Sequence, residues 1–232
     1  MALPGRSERP GGMGGHVMTR ALGWLAVLAL GAGLVMGFGV APREVIQGNV
    51  QRIMYLHVPT VLVAYLAFAV VFLASIAYLW RRQPAVDRLA HASAEVGVLF
   101  TGLTIAAGAI WGKPTWGTWW TWDARLTSVA ILFVMYLGYL LLRGMIEDHE
   151  RAARYSAVLG IIAALDVPLV HFSVYWWRTL HQPPSILKPG PVTMPQSIVA
   201  ALLVNIAAFA LLYAYFVAKR VALLRREEQV LA

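Results

Sequence analysis

The chain has 232 residues, of which 59% are hydrophobic and only 13% charged, and its mean hydropathy is +0.66. A soluble domain of this size carries about twice that charged fraction, so the composition excludes an ordinary soluble protein. The formal net charge of +8 is spread over several loops, which argues against a nucleic-acid-binding patch, and the absence of cysteine excludes disulfides and thiol redox chemistry.

Six apolar runs follow one another along the chain, each roughly as long as the 20 residues that a helix needs to cross a bilayer. Because they use nearly all of the sequence, we predict an all-α, polytopic membrane protein with a single domain of six transmembrane helices over residues 21–218. The first run is too long for the apolar core of a cleaved signal peptide, and we expect it to be retained. Residues 1–20 are predicted to be a disordered cytoplasmic tail and 219–232 a second cytoplasmic tail. The six runs cover about 21–41, 59–80, 93–111, 127–143, 155–175 and 197–218.

The basic residues alternate between the two ends of the predicted helices. Thirteen fall in the N-terminal segment, the second and fourth loops and the C-terminal segment, and six fall in the other three loops. Because short cytoplasmic loops are enriched in Lys and Arg, both termini are predicted to be cytoplasmic. The loop between the third and fourth helices is then predicted to be periplasmic. The six outer residues are Arg43, Arg52, Lys113, Arg125, Arg178 and Lys188.

The most unusual segment is residues 111–127, which read W-G-K-P-T-W-G-T-W-W-T-W-D-A-R-L-T and hold five of the nine tryptophans. Gly112, Pro114 and Gly117 disfavour a regular helix, so we predict a loop or a short surface helix. An aromatic surface with ionic groups at its edge suits a large, flat, charged ligand such as a porphyrin. The candidate binding residues here are Trp111, Trp116, Trp119, Trp120, Trp122, Asp123 and Arg125.

Two histidines lie on the side predicted for this tryptophan-rich segment. His57 immediately precedes the second run, with Pro59 in its first helical turn, and His181 follows the fifth run. Two neutral imidazoles converging beside the aromatic surface would form a haem pocket, with either both histidines on the iron or one histidine and an open position. The two haem propionates could then meet Arg52, Lys113, Arg125 or Arg178.

Structural roles remain open for several of these residues. A membrane-interface belt would explain Trp24, Trp80, Trp176 and Trp177, although it explains the dense cluster at 111–122 poorly. Asp123 would equally well cap the fourth helix. A single outer-loop histidine is more often a hydrogen-bonded interface residue than a ligand.

The fifth run contains further polar residues. Asp166 and Pro168 interrupt it: a buried acid in a membrane is a functional candidate, and the proline predicts a kink. We do not place either residue in the haem site. His171, near the outer end of this run, could support that site or be purely structural.

The tryptophan-rich segment also carries a family resemblance. W-G-T-W-W-T-W-D at 116–123 matches the W-G-x-x-W-x-W-D signature of the WWD-domain haem-handling proteins. Within that group the chain resembles the haem exporter protein C (CcmC) family over about residues 21–218. The resemblance rests on the six runs, the length, and the stretches G-N-V-Q-R-I-M-Y-L-H-V-P and S-V-Y-W-W-R-T-L-H-Q.

The resemblance implies a specific function in the bacterial inner membrane. Haem b in transit would be held non-covalently at the periplasmic face by the tryptophan-rich loop and two flanking histidines, which map onto His57 and His181. It would be delivered to the haem chaperone CcmE, with its covalent attachment promoted, during cytochrome c biogenesis. The small membrane protein CcmD would assist, and the ABC transporter CcmA–CcmB would use ATP to release the loaded chaperone.

Two other functions stay open on the residues themselves. The first is a permease subunit that moves haem or another solute across the membrane, with the loop as an exit gate. The second is a non-catalytic assembly subunit whose tryptophans bind a partner protein. The sequence contains no Walker A, Rossmann or hydrolase motif, so neither ATP hydrolysis nor nucleophilic catalysis is expected of this chain.

Overall fold

The computed structural model describes residues 11–184, 188, 190–192 and 194–231. Within these ranges the chain forms helices and has no strand. Six helical segments are long and apolar enough to cross a membrane, which confirms the predicted all-α fold with six spans. They are Val17–Val40, Val50–Arg81, Pro84–Trp116, Ala124–Met145, His149–Trp176 and Gln196–Val230.

The helices are numbered here in chain order. Helix α1 continues into a short π-helix, Val35–Val40, and α2 follows a 3₁₀ turn, Val50–Ile53. The predicted tail 1–20 stays a prediction, since residues 1–10 lie outside the described residues. Residues 11–20 form the first part of α1, which begins at Gly11. At the other end, the last helix extends through most of the predicted tail 219–232. The helices are α1 Gly11–Leu34, α2 Met54–Arg81, α3 Pro84–Trp116, α4 Ala124–Met145, α5 His149–Ala164, α6 Asp166–Trp176 and α7 Gln196–Leu231.

The tryptophan-rich segment is more helical than predicted. Helix α3 runs through Gly112 and Pro114 and ends at Trp116, so residues 117–123 alone form the loop. Pro114 removes one helical hydrogen bond, but the helix ends at the next turn and little is lost. Gly117 ends it with a left-handed φ of 79°, where its N–H donates to the Lys113 carbonyl.

Helix α2 lies at the centre of the bundle and packs against α3, α5 and α7, while α1 packs on α7. In the core, the ring of Phe68 stacks on Tyr136 with centroids 3.7 Å apart. On the periphery, buried Asn205 of α7 donates to the Gly33 carbonyl of α1 at 2.9 Å. Buried aromatic packing and a hydrogen bond between α7 and α1 thus help to hold the helices together.

The fifth span is broken between α5 and α6, as the sequence predicted from Asp166 and Pro168. Helix α5 ends at Ala164, and α6 begins at Asp166. Pro168 has no N–H to donate to the Ala164 carbonyl four residues earlier, which explains why α5 ends there. Helix α6 packs mainly on α4 and α5.

The two ends of the bundle differ in character. At one end, ion pairs join α3 to α4 through Asp87 and Arg143, at 2.6 Å, and α3 to α7 through Glu95 and Arg220. At the opposite end, the beginnings of α2 and α4 meet the ends of α3 and α6. This second end contains the candidate site.

Candidate functional site

A cavity of about 280 Å³ opens among α2, α3, α4, α6 and the segments that follow α3 and α6. It lies at the second end of the bundle and extends along the apolar faces of α2 and α4. Seven of the eleven predicted site residues line it, although they come from five separate parts of the chain. They are His57, Trp111, Trp116, Trp119, Trp120, Arg125 and His181.

His57 is held on a helix rather than in the loop before it. Helix α2 begins at Met54, so His57 lies in its first turn and Pro59 in the second. The imidazole Nδ1 is 3.1 Å from the Thr104 carbonyl oxygen of α3. A carbonyl oxygen can only accept, so Nδ1 carries the proton, and Nε2 of the neutral ring keeps its lone pair. The ring of Trp111 approaches edge to face, with centroids 5.8 Å apart.

His181 reaches the same cavity from the loop after α6. Its ring packs edge to face with Trp116, with centroids 4.7 Å apart, and its buried Nδ1 has no hydrogen-bond partner among the residues that the structure describes. Burial, with smaller effects of the nearby Arg125 and His57, lowers the pKa of His181 to about 4. His181 is therefore a neutral imidazole at pH 7, the form that ligates metals.

Asp123 joins the loop after α3 to the loop after α6. Its Oδ1 accepts from the backbone N–H of Leu126 at 2.9 Å, which confirms the predicted cap of α4. Its Oδ2 accepts from the backbone N–H of Leu180 at 3.0 Å. Asp123 does not itself line the cavity. It instead fixes the backbone of the residue that precedes His181.

Arg125 is the one among the four predicted propionate partners that lines the cavity. Its Nε and Nη2 donate to the carbonyls of Val170 and His171, each at 3.3 Å. The other three lie elsewhere. Arg52 donates to the carbonyls of Phe38 and Ala41, Lys113 donates to that of Gly117, and Arg178 is exposed.

The five tryptophans take different positions relative to the cavity. Trp111 is anchored by a 3.0 Å hydrogen bond from its Nε1 to Gln47 Oε1. Trp119 lines the cavity and is still 57% exposed, so it lies at the mouth. Trp122 is 77% exposed and does not line the cavity, although its ring contacts that of Trp120.

Several lining residues were not identified from the sequence. Thr104 and Gly108 contact His57 from α3, and Tyr65 packs edge to face against His171, with centroids 6.4 Å apart. Thr104, Gly108 and Trp111 have helical spacing, a signal that becomes readable once α3 is known to continue to Trp116. Nothing in the sequence marks Gln47, because its contact with Trp111 joins segments 64 residues apart.

The family model described as "Heme exporter protein C" matches residues 12–232. The chain belongs to the haem exporter protein C family. It is 43% identical to "Heme exporter protein C" of Bradyrhizobium diazoefficiens over 212 residues, 89% of this chain and 80% of that protein. It is 42% identical to the protein of the same name from Haemophilus influenzae over 192 residues, 82% and 77% of the two chains. A "Putative cytochrome c biosynthesis ccmC-like mitochondrial protein" of Arabidopsis thaliana is 36% identical over 186 residues, 80% and 69% of the two chains.

Membership in the haem exporter protein C family supports a role in haem handling for cytochrome c maturation. The chemistry of the cavity wall fits such a cargo. Within the described part of the chain, four polar atoms of lining residues are buried without a hydrogen-bond partner, although buried polar groups are nearly always paired. Large aromatic faces surround them, so the wall suits an apolar macrocycle with polar substituents. The four atoms are Thr104 Oγ1, Trp120 Nε1, Thr121 Oγ1 and His181 Nδ1.

Proposed function

We propose that this member of the haem exporter protein C family binds haem b non-covalently in the cavity and delivers it to the haem chaperone CcmE, promoting its covalent attachment there. One observation carries the proposal: His57 and His181, from distant parts of the chain, line one cavity together with the tryptophans of the WWD segment. The family supplies the pathway, and the cavity supplies a place for the cargo.

The two histidines would ligate the haem iron. The Nδ1 proton of His57 is engaged by the Thr104 carbonyl, which leaves Nε2 as the available ligand atom. His181 is neutral at physiological pH because burial lowers its pKa to about 4. Neutral imidazole is a common protein ligand for haem iron, so neither ligand would need to lose a proton before binding.

The remaining lining residues would orient the porphyrin. Trp111, Trp116 and Trp119 offer aromatic faces and edges to the macrocycle, and Arg125 offers a cation to a propionate. Because Arg125 also binds two carbonyls of α6, its charge is held in place beside the cavity. Haem would thus be fixed at its iron and at one acidic edge.

The cavity end of the bundle would face the periplasm, with both termini cytoplasmic, as the distribution of basic residues predicts. The chain has no cysteine, which makes this easy to test. Three variants would each carry one cysteine, at Val45, Glu147 or Gln229, and intact cells would be treated with a membrane-impermeant maleimide. Labelling at Val45 alone is expected, and labelling at either of the other two would contradict the orientation.

Delivery requires a partner at the mouth of the cavity. Exposed Trp119 and the loop that carries His181 border this mouth, where the chaperone CcmE would receive haem. The small membrane protein CcmD would assist, and the ABC transporter CcmA–CcmB would release the loaded chaperone. The chain itself would hold haem without hydrolysing ATP.

A reconstituted system tests this function. The haem-loaded chain, in liposomes with CcmD, would be mixed with haem-free CcmE, and covalent haem on the chaperone would be measured after denaturing electrophoresis. His57→Ala and His181→Ala should abolish or stall loading, while His149→Ala, an exposed change at the far end of the bundle, should not. Normal loading by both site variants would overturn the proposal. Passage of haem across the liposome membrane without CcmE would favour a permease instead.

A further inference from the structure

We propose that Gly108 is a positioning residue for His57. Because glycine has no Cβ, Gly108 leaves space in which the imidazole of His57 reaches the Thr104 carbonyl. This contact determines which ring nitrogen faces the cavity. The inference rests on the proposed function, since it assigns to Gly108 the orientation of a haem ligand.

Three contacts of His57 with α3 lie on one face of that helix. Thr104, Gly108 and Trp111 are separated by four and three residues, the spacing that aligns side chains along one face. The imidazole contacts each in turn. Its Nδ1 is 3.1 Å from the Thr104 oxygen, and its ring centroid is 5.8 Å from that of Trp111.

Gly108 lies between these two contacts, where no side chain fits. A Cβ placed there would lie 2.8 Å from Cε1 of His57 and 3.3 Å from its Nδ1. Cε1 joins the two ring nitrogens, so a methyl group at this point would push the whole imidazole away from α3. The Nδ1 hydrogen bond would then lengthen, and the direction of Nε2 would change.

Glycine also exposes the carbonyl that His57 uses. In an α-helix the Thr104 carbonyl accepts the Gly108 N–H, and its second lone pair can take another donor only if that donor can approach. Because Gly108 has no Cβ, the imidazole can approach the carbonyl along the groove of α3. Histidines that ligate metals usually donate their other N–H to a carbonyl or carboxylate in this way.

Gly108 also lowers the stability of the helix itself, since glycine in a helix interior has a lower helix propensity than alanine.

Gly102, six residues earlier on α3, provides the matched control. A Cβ there would meet only Phe133, at 3.7 Å, which is an ordinary contact. The two glycines therefore lie in the same helix, and they differ in the side chain that a Cβ would meet.

The test compares haem binding by Gly108→Ala and Gly102→Ala in detergent, by titration and by the absorption spectrum of the bound haem. Gly108→Ala should weaken haem binding about 10- to 100-fold, the usual effect of disturbing a group that orients a metal ligand. Gly102→Ala should bind as the wild type does. Equal affinities and spectra for the two variants would overturn the inference.

A double variant separates positioning from general damage to the fold. If Gly108 acts through His57, then Gly108→Ala should cause no further loss in a His57→Ala background. The same loss in both backgrounds would show a structural role and overturn the inference. If His57→Ala alone binds haem normally, the proposed function fails and this inference fails with it. A silent Gly108→Ala beside a defective His57→Ala overturns this inference alone.

A measurement on the unaltered chain covers the case in which Gly108→Ala does not fold. Nitrogen-15 NMR of histidine-labelled, haem-free protein reports the tautomer of each imidazole, and His57→Ala identifies the signal. The contact with the Thr104 carbonyl predicts a protonated Nδ1 and an unprotonated Nε2 for His57. The opposite tautomer would overturn the inference.

Discussion

The two histidines that line the cavity are held in different ways. His57 lies on a helix and is fixed by a hydrogen bond to Thr104, by the space at Gly108 and by the edge of Trp111. His181 lies on a loop, and no described residue forms a hydrogen bond with its Nδ1. Two side chains hold the backbone beside it: Asp123 accepts from the Leu180 N–H, and Thr179 donates to the His181 carbonyl.

This difference suits a protein that holds a cargo and then releases it. A ligand whose orientation is fixed in advance gives affinity, because little freedom is lost on binding. A ligand on a loop can move away without disturbing the bundle. We therefore interpret His57 as the ligand with a fixed orientation, and His181 as the ligand that moves away when haem passes to a partner.

Removing each histidine in turn tests this interpretation most strongly. His57→Ala should weaken haem binding by about 100-fold or more, and His181→Ala by about tenfold. Each factor of ten corresponds to about 1.4 kcal/mol of binding free energy. Titration of both purified variants with haem measures the difference. A larger loss for His181→Ala would reverse the assignment of the two roles.

Arg125 and Arg178 provide the next comparison, because only the first lines the cavity. Arg125→Gln should weaken haem binding by about 2 kcal/mol, the typical effect of losing a hydrogen bond to a charged group. Arg178→Gln should leave the affinity unchanged, since this side chain is exposed. Titration with haem and with an esterified haem, which lacks free propionates, measures the effect. An equal loss for both haems in Arg125→Gln would exclude a propionate contact.

Asp123 can be compared with Asp148, since each caps a helix through a backbone N–H at 2.9 Å. Alanine at either position should lower the free energy of unfolding through the lost cap, by about 1 kcal/mol at Asp123. Only Asp123→Ala also frees the backbone at Leu180, so it alone should weaken haem binding, by about 1 kcal/mol. Denaturation and haem titration of both variants separate these effects. Reduced haem binding by Asp148→Ala would show that capping, rather than the link to Leu180, matters.

The smallest effect expected is that of mild acid on His181. Its pKa is lowered to about 4 from the ordinary 6.5, so between these values the unfolded chain binds a proton that the folded chain does not. The neutral His181 therefore makes the free energy of unfolding rise with pH across that window. The stability that it contributes is lost progressively as the pH falls and completely only below about pH 4. His181 stays neutral in the folded chain at pH 5. The difference in haem affinity between wild type and His181→Ala should consequently change little from pH 7 to pH 5. A collapse of that difference near pH 6.5 would contradict the burial of His181.

Part of this architecture could be predicted from the sequence, because it depends on local composition. The six apolar runs predict the spans, Pro168 predicts the break after α5, and Asp123 before an apolar run predicts the cap of α4. Local signals failed at Gly112 and Pro114, since α3 continues past both to Trp116. Both residues lie in the last turns of the helix, where the loss of a hydrogen bond costs little.

Contacts between distant segments could not be predicted in the same way. The second hydrogen bond of Asp123 reaches a residue 57 positions away, and the Thr104 carbonyl meets a histidine 47 positions away. Such pairs depend on how α2, α3 and α6 pack, which the spacing of residues does not specify. The roles of the eleven candidate site residues in haem binding stay predictions, with seven of them lining one cavity.

His57 and His181 would both ligate the iron of a haem bound in the cavity that they line. Electron paramagnetic resonance of the purified chain loaded with ferric haem tests it most directly. Ligation by both histidines predicts a six-coordinate, low-spin signal in the wild type. In His181→Ala it predicts a five-coordinate, high-spin signal that added imidazole converts back to low spin. A His181→Ala spectrum identical to that of the wild type would contradict the claim.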